Sequence, residues 1–352
     1  MTVIIGVSSS KAGRISMSEQ AKDPIFELVS SPIPERLWHY TDLDGFRGIV
    51  KSKRIYATNI RYLNDREESK HALALAKSLL MEKLPPEADA PLVRQLVMGE
   101  FDGIFERGAL SPENLSLFTA SFTVNGDLLS QWRGYSAGSA GVSLGFDFRG
   151  VREITAPSSP VIFAPCVYKD GEKERLLRLS IAPFVGPVLD IAAHTADIPT
   201  RGRTREEMRK ERPDLGEEEI EEIYFKRLQG RWKQELPRSV GEATAKLFHL
   251  IGLLKNSAFQ EEQEWRYVFP VFVNMPKPPE LKFRSRSNML VPYIEFPLVG
   301  DLEGNASFRL REVIIGPGSE EELAVDAARA FLDSADAKGV AVIHSRIPYR
   351  TW

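Results

Sequence analysis

The chain has 352 residues, of which 43% are hydrophobic and 27% charged, proportions typical of a folded globular protein. Its 46 Lys and Arg against 49 Asp and Glu give a net charge of −3, which excludes a uniformly basic nucleic-acid coat although not a local basic groove. The single cysteine, Cys166, excludes an internal disulfide framework and a cysteine-rich zinc site. It fits a reducing compartment, and no stretch approaches the roughly 20 apolar residues of a membrane span, so we expect a cytoplasmic protein without membrane contact.

The periodicity of apolar residues predicts strands near both ends of the chain and helices between them, a pattern typical of an α+β fold. Predicted strands fall at 37–40, 55–58, 117–123, 141–148, 161–168, 265–273, 289–296, 310–315 and 340–347. Predicted helices fall at 42–50, 67–84, 92–110, 128–135, 241–255 and 320–338.

The predicted domain organisation has three parts. Residues 1–30 read as a flexible N-terminal arm, because they are rich in serine and lack a sustained apolar pattern. Residues 31–352 then form a single α+β domain with a mixed, mainly antiparallel sheet and flanking helices. A helical insertion is expected at about 196–240, since the charges of residues 201–238 nearly cancel and their apolar residues form one stripe.

Several motifs that carry chemistry are absent from the sequence. It has no GxxxxGK[ST] phosphate-binding loop and no GxSxG nucleophile turn. Its five histidines form no HExxH pair, so a histidine-built zinc site is not expected. What remains is four clusters in which polar and aromatic residues occur together.

The first two clusters lie near the start of the predicted domain, at 38–41 and 61–65. His39 stands near the end of a strand and is followed by a helix, so it can point into a cleft; a core or capping role is the alternative. Asn64 and Asp65 are more simply explained as caps of the next helix than as chemical groups.

The other two clusters lie at 130–135 and 259–267. In the first, Trp132 and Tyr135 flank polar residues and read either as core aromatics or as a wall for a planar ring. In the second, Glu262 and Glu264 are two positions apart, so on extended backbone they would point the same way. The alternative is an ion pair between Glu264 and Arg266 on a strand edge.

Together these clusters resemble the bacterial DUF2971 family, whose function is unassigned. The segments that carry the resemblance are LWHYTDLDGFRGIVKSKRIYATNIRYLNDREE, SFTVNGDLLSQWRGYSAGSAGVSLGFD, FQEEQEWRYVF and LREVIIGPG. They cover most of the chain from residue 36 onward, and their joint order is more specific than any one motif.

A more distant resemblance is to ADP-ribosyltransferase-fold domains, because His39, Ser121 or Tyr135, and the Glu262-Gln263-Glu264 triplet occur in the order of that fold's site residues. It implies an NAD-dependent transferase that acts on an unknown protein or nucleic-acid acceptor, in a toxin or anti-phage defence role. NAD would be its substrate, with no metal. Glu264 would stabilise the cationic ribose, Glu262 would activate the acceptor and His39 would hold the ribose. The implied NAD-binding residues are His39, Tyr40, Thr41, Ser121, Gln131, Trp132, Tyr135 and Arg266.

Two other functions stay open from the residues alone. One is a metal-dependent nuclease or phosphodiesterase that binds Mg²⁺ through Asp65, Glu67, Glu262 and Glu264. The other is a non-catalytic nucleotide-sensing or interaction module.

The transferase hypothesis makes a geometric prediction: His39 and Glu264 lie across one pocket, with Trp132 or Tyr135 in its wall. The acceptor and the oligomeric state are not predicted.

Overall fold

The structure is a computed structural model, and it describes most of the chain from residue 23 onward. The described residues are 23–63, 66–84, 91–103, 116–135, 141–148, 161–195, 209–220, 222–223, 226, 230, 237–271, 278–286, 288–298, 309–318 and 320–348. Asn64, Asp65 and most of the expected insertion at 196–240 lie outside them. Within the part of the expected N-terminal arm that the structure describes, Pro24–Val29 forms a helix.

The chain divides into two compact units, each built from several chain segments. The helical unit comprises residues 1–24, 67–115 and 170–251, and the sheet unit comprises residues 25–66, 116–169 and 252–352. The region expected as an insertion at 196–240 falls inside the helical unit.

All strands of the described residues belong to one sheet. In chain order they are β1 Arg36–Asp42, β2 Arg54–Asn59, β3 Leu117–Thr123, β4 Gly141–Asp147, β5 Ile162–Pro165, β6 Glu264–Pro270, β7 Lys282–Arg286, β8 Met289–Pro297, β9 Leu310–Ile315 and β10 Ala341–His344. Their order across the sheet is β10-β9-β4-β1-β3-β2-β8-β7, with β6 paired to both β3 and β5. Of the described pairs, only β9 with β10 is parallel, so the fold is α+β with a mostly antiparallel open sheet, as expected.

Besides helical residues at 209–211, 217–220, 222–223, 226 and 230, the described residues form eight α-helices. They are α1 Pro24–Val29, α2 Leu43–Ser52, α3 Arg66–Lys83, α4 Pro91–Phe101, α5 Leu129–Tyr135, α6 Asp170–Thr195, α7 Pro237–Leu253 and α8 Glu321–Ser334. Short 3-10 helices cover Ile60–Tyr62 and Ser257–Glu262. No helix in the described residues is long and apolar enough to cross a membrane.

The sheet unit buries different residues on its two faces. On the first, which we call the α2 face, Phe46 of α2 and Leu332 of α8 join the main hydrophobic core with Phe122 and Leu144 of the strands. On the second, the α5 face, Trp132 of α5 packs in a smaller cluster with Trp38, Tyr40 and Ile314. Successive residues of β1 therefore alternate between the two cores, as strand geometry requires.

The helical unit follows the predicted pattern of buried residues. Helix α3 buries Ala72, Leu73, Ala76, Leu79 and Leu80, which recur at the spacing of one helical face. Helix α4 contacts α6 within this unit. Ion pairs add links between helices, such as Lys77 with Asp102 at 2.6 Å.

Candidate functional site

The sheet branches at β3. Strand β6 pairs with β3 along its whole length, from Leu117 to Thr123, and so occupies one edge of that strand. Both β1 and β2 must then use the other edge: β2 pairs at Phe118 and Thr119, whereas β1 pairs only at Thr123. The backbone around Ser121 consequently lies in a gap between β1 and β2, which we call the fork.

His39 of β1 reaches into this fork. Its Nδ1 lies 2.9 Å from the backbone carbonyl oxygen of Ser121. A carbonyl oxygen only accepts hydrogen bonds, so Nδ1 carries the proton and donates it, and the neutral ring leaves Nε2 as an acceptor. The ring is tilted against Phe122 with a centroid separation of 5.8 Å, and the side chain is only partly buried.

The environment of the fork keeps His39 uncharged. Burial lowers the pKa of His39 to about 4, the bond to Ser121 acts in the opposite direction, and the positive charge of Arg284 lowers the pKa further. Arg284 belongs to β7 and donates from Nη2 to Oγ1 of Thr58 in β2, at 3.0 Å. By strand register Arg284 shares the α5 face with Thr58 and Tyr293, whereas His39 leaves β1 on the α2 face, so the guanidinium acts on the neutral imidazole across the fork.

Glu264 has a different environment, because it is one member of a buried ion cluster with Lys255, Glu262 and Arg266. Its carboxylate accepts from Arg266 Nε at 2.7 Å and from Arg266 Nη2 at 3.0 Å. Lys255 Nζ donates to both Glu262 and Glu264. Arg266 is 1% exposed and also donates from Nη1 to the backbone carbonyl of Gly252 at 3.0 Å. Two cations thus neutralise two carboxylates within the protein.

This cluster fixes the charge of Glu264. Burial by itself would raise the pKa of the carboxyl, but the charges of Arg266 and Lys255 and their hydrogen bonds together lower it to about 2. Both backbone groups of Glu264 are bound as well: its N–H donates to the Tyr168 hydroxyl and its carbonyl accepts from the Cys166 N–H, each at 2.8 Å. An anion held in this way, in a residue that is only 4% exposed, contributes to the fold.

Two expectations for the Glu262-Gln263-Glu264 triplet are wrong. The two glutamates do not project from one extended strand, because Glu262 ends the 3-10 helix and Gln263 has a left-handed backbone with φ of 42°. They converge instead on Lys255. The Glu264–Arg266 pair exists, but it is not at a strand edge, since β6 lies between β3 and β5.

The predicted pocket between His39 and Glu264 does not form. Trp38 is paired with Thr123, which is paired with Glu264, so these three share the α5 face. His39 follows Trp38 and therefore leaves the opposite face of the sheet. Strand β3 also runs between them, with His39 at one edge and Glu264 on the strand along the other.

The predicted aromatic wall is also wrong for Trp132. Its side chain is completely buried, its Nε1 donates to Asp127 Oδ1 at 2.7 Å, and its ring meets Tyr40 edge-on with a centroid separation of 4.8 Å. The Tyr40 hydroxyl accepts from Leu128 N–H at 2.8 Å and donates to the Asn125 carbonyl at 3.1 Å. Both rings therefore join β1 to the chain that precedes α5, and neither has a face open to a ligand.

The remaining predicted site residues are scattered. Thr41 is the second-last residue of β1, on the α2 face, and packs against Gly45 of the first turn of α2. Gln131 is buried on α5, and Arg266 belongs to the ion cluster. The side chain of Tyr135 lies outside the described residues. Only Ser121 comes together with His39 in the fork.

Sequence reasoning missed Lys255 and Arg284. Lys255 lies two residues after the end of the apolar helix α7. A lysine after such a helix and shortly before an acidic run is a signal that could have suggested a buried partner. Arg284 had no such signal, because β7 itself was not predicted.

The acidic residues proposed for a magnesium site do not support one. Glu262 and Glu264 are bound to Lys255, and Glu67 pairs with Lys70 at 3.0 Å on the surface of α3. Asp65 lies outside the described residues. Across the part of the chain that the structure describes, no group of three or more His, Cys, Asp or Glu residues could hold a metal ion.

No family model, curated protein or solved structure matches this chain. The resemblance to the DUF2971 family therefore stays a prediction from the sequence.

Proposed function

We propose that this chain is a nucleotide-binding module in which the fork recognises NAD or a related phosphorylated ribose. The observation that supports this proposal is the protonation state of His39. Its Nδ1 donates to the Ser121 carbonyl oxygen, and its Nε2 is an acceptor on a neutral, partly exposed ring. A ribose hydroxyl is a suitable donor to that nitrogen. The charge of the Arg284 guanidinium reaches the His39 ring across the fork and has the sign that a phosphate requires.

The proposal keeps NAD and an ADP-ribosyltransferase-like fold from the sequence resemblance, but it does not keep Glu264 as the catalytic carboxylate. Transfer of ADP-ribose needs a carboxylate beside the ribose as positive charge develops there. Glu264 is neutralised by Arg266 and Lys255 on the other side of β3 from His39. Binding without cleavage, as in a sensing module, is the function that these contacts favour.

The test is titration calorimetry of the full chain with NAD, ADP-ribose and adenosine, with His39→Leu as the variant. We expect NAD and ADP-ribose to bind the wild type more tightly than adenosine does. His39→Leu should weaken NAD binding about tenfold, the cost of one lost hydrogen bond. His344→Leu, at the end of β10, is the matched control and should bind like the wild type. A wild type that binds none of the three ligands contradicts the proposal.

A second assay separates binding from turnover. Nicotinamide release from NAD is measured with and without cell lysate as a source of acceptor, and we expect none. Release that disappears in a folded Glu264→Gln protein would restore the transferase hypothesis and contradict the sensing module.

A further inference from the structure

The hairpin β7–β8 exposes large apolar side chains at one end of the sheet. Leu281, Phe283, Met289 and Leu290 are 49%, 57%, 52% and 63% exposed. They are four of the nine large hydrophobic residues found exposed in the described residues, and all four fall within ten positions of the chain. Such a concentration is typical of an interaction surface, whereas single exposed apolar residues are ordinary.

Strand β7 also leaves backbone groups at the edge of the sheet. In the part of the chain that the structure describes, β8 is its only partner strand. Phe283 lies opposite Pro292, which has no N–H to donate, so this position is a non-hydrogen-bonded pair in the antiparallel ladder. The N–H and C=O of Phe283, and those of Ser285 two positions on, therefore point away from β8 to the open edge.

The two faces of β7 differ in chemistry. Phe283 shares a face with Leu290 of β8, which pairs with Ser285. Lys282 and Arg284 project from the other face, opposite Tyr293 and Val291. An added strand would thus meet Phe283 and Leu290 on one face. On the other face it would meet Met289 with Lys282 and Arg284, of which Lys282 is also paired with Glu295 at 3.0 Å.

This alternation argues against a second copy of β7 as the added strand. Any pairing of two β7 strands that keeps their apolar faces together places Lys282 and Arg284 of the two copies near one another. Like charges directly opposite in a ladder are destabilising, whereas opposite charges there are favourable. The edge is complementary to a strand in which acidic residues alternate with apolar ones.

We propose that the open edge of β7 binds an extended acidic segment of a partner protein by strand addition, with its acidic side chains beside Lys282 and Arg284 and its apolar side chains beside Phe283. Strand addition gives affinity through main-chain hydrogen bonds and specificity through alternate side chains.

The probe is a fluorescent seven-residue peptide of alternating glutamate and valine. The control is the same peptide with lysine in place of every glutamate. Anisotropy titration of the full chain should show at least about tenfold tighter binding of the glutamate peptide. Ser285→Pro removes one N–H at the open edge and leaves the hydrogen bonds to β8 intact, so it should weaken binding of the glutamate peptide about tenfold or more. Ser285→Thr is the control and should bind the peptide like the wild type.

Two further variants keep the test decisive if Ser285→Pro does not fold. Phe283→Ser removes an exposed apolar side chain and should weaken binding of the glutamate peptide. Lys282→Glu should reduce the ratio of the affinities for the glutamate and lysine peptides. Equal binding of both peptides by the wild type, or no binding of either, overturns the proposal. So does a wild-type dimer in sedimentation that Ser285→Pro or Phe283→Ser dissociates, because a second copy would then occupy the edge.

Discussion

Arg266 holds Glu264 through two hydrogen bonds, from Nε to Oε1 at 2.7 Å and from Nη2 to Oε2 at 3.0 Å, although the two residues are only two positions apart in β6. Their side chains share one face of the strand, and Lys255 binds the same carboxylate from the chain that follows α7. Because the cluster is buried, loss of one member leaves the others charged without a partner. The stability of the sheet unit should depend strongly on it.

Glu264→Gln should destabilise the protein by about 3–5 kcal/mol, the range for removing one partner of a buried ion pair. Urea unfolding followed by circular dichroism measures the change. Glu261→Gln is the control: Glu261 is exposed on the adjoining 3-10 helix, so its effect should stay within about 0.5 kcal/mol. If Glu264→Gln is as stable as the wild type, the ion cluster makes no net contribution to the free energy of unfolding.

The same cluster predicts acid sensitivity. The pKa of Glu264 is lowered from 4.5 to about 2 in the folded chain, so the unfolded chain takes up a proton first as the pH falls. The stabilisation is complete above pH 4.5 and is lost as the pH falls from there through 2, with a total on the order of 3 kcal/mol. Urea midpoints measured across this range should fall more steeply in the wild type than in Glu264→Gln. Parallel curves would contradict the assignment.

His39 should titrate far below an ordinary histidine. Its pKa is lowered from 6.5 to about 4 in the folded chain, so its contribution to stability is complete above pH 6.5 and is lost as the pH falls through 4. Nuclear magnetic resonance of the imidazole C–H signals, assigned with His39→Gln, measures this pKa directly. If the proposed function is right, NAD affinity should stay constant from pH 7 to 5 and fall near pH 4. A midpoint near 6.5 would contradict the neutral state on which the fork depends.

Gly145 of β4 should not tolerate a side chain. A Cβ there would lie 2.7 Å from the ring of Trp38, the residue opposite it on β1. Gly145→Ala should therefore cost about 1–3 kcal/mol, the range for overpacking a core. Gly134→Ala is the matched control: no atom lies within 4 Å of its Cβ position, and alanine favours a helix, so α5 should gain about 0.5–1 kcal/mol. Thermal unfolding distinguishes the two, and equal effects would contradict the contact with Trp38.

Local periodicity was sufficient to place most elements of this protein. Strands β3 and β9 were predicted at their observed bounds, and α3 was predicted to within one residue at each end. Strand β7 was missed, because Lys-Phe-Arg-Ser-Arg places polar side chains on both faces and offers no apolar alternation. Helix α6 was missed as well, although its first turn carries Asp170 and Glu172.

The sequence by itself determined the α+β class, the pairing of Glu264 with Arg266 and the candidacy of His39, because each depends on neighbours a few positions apart. Only the tertiary structure decided that β1 and β2 share one edge of β3, that Lys255 joins the ion pair, and that His39 and Glu264 lie on opposite sides of β3. These facts depend on strand register between segments far apart in the chain, and a shift of one residue reverses which face a side chain occupies. No local sequence pattern encodes the strand register, because side-chain packing on both faces of the sheet together selects it.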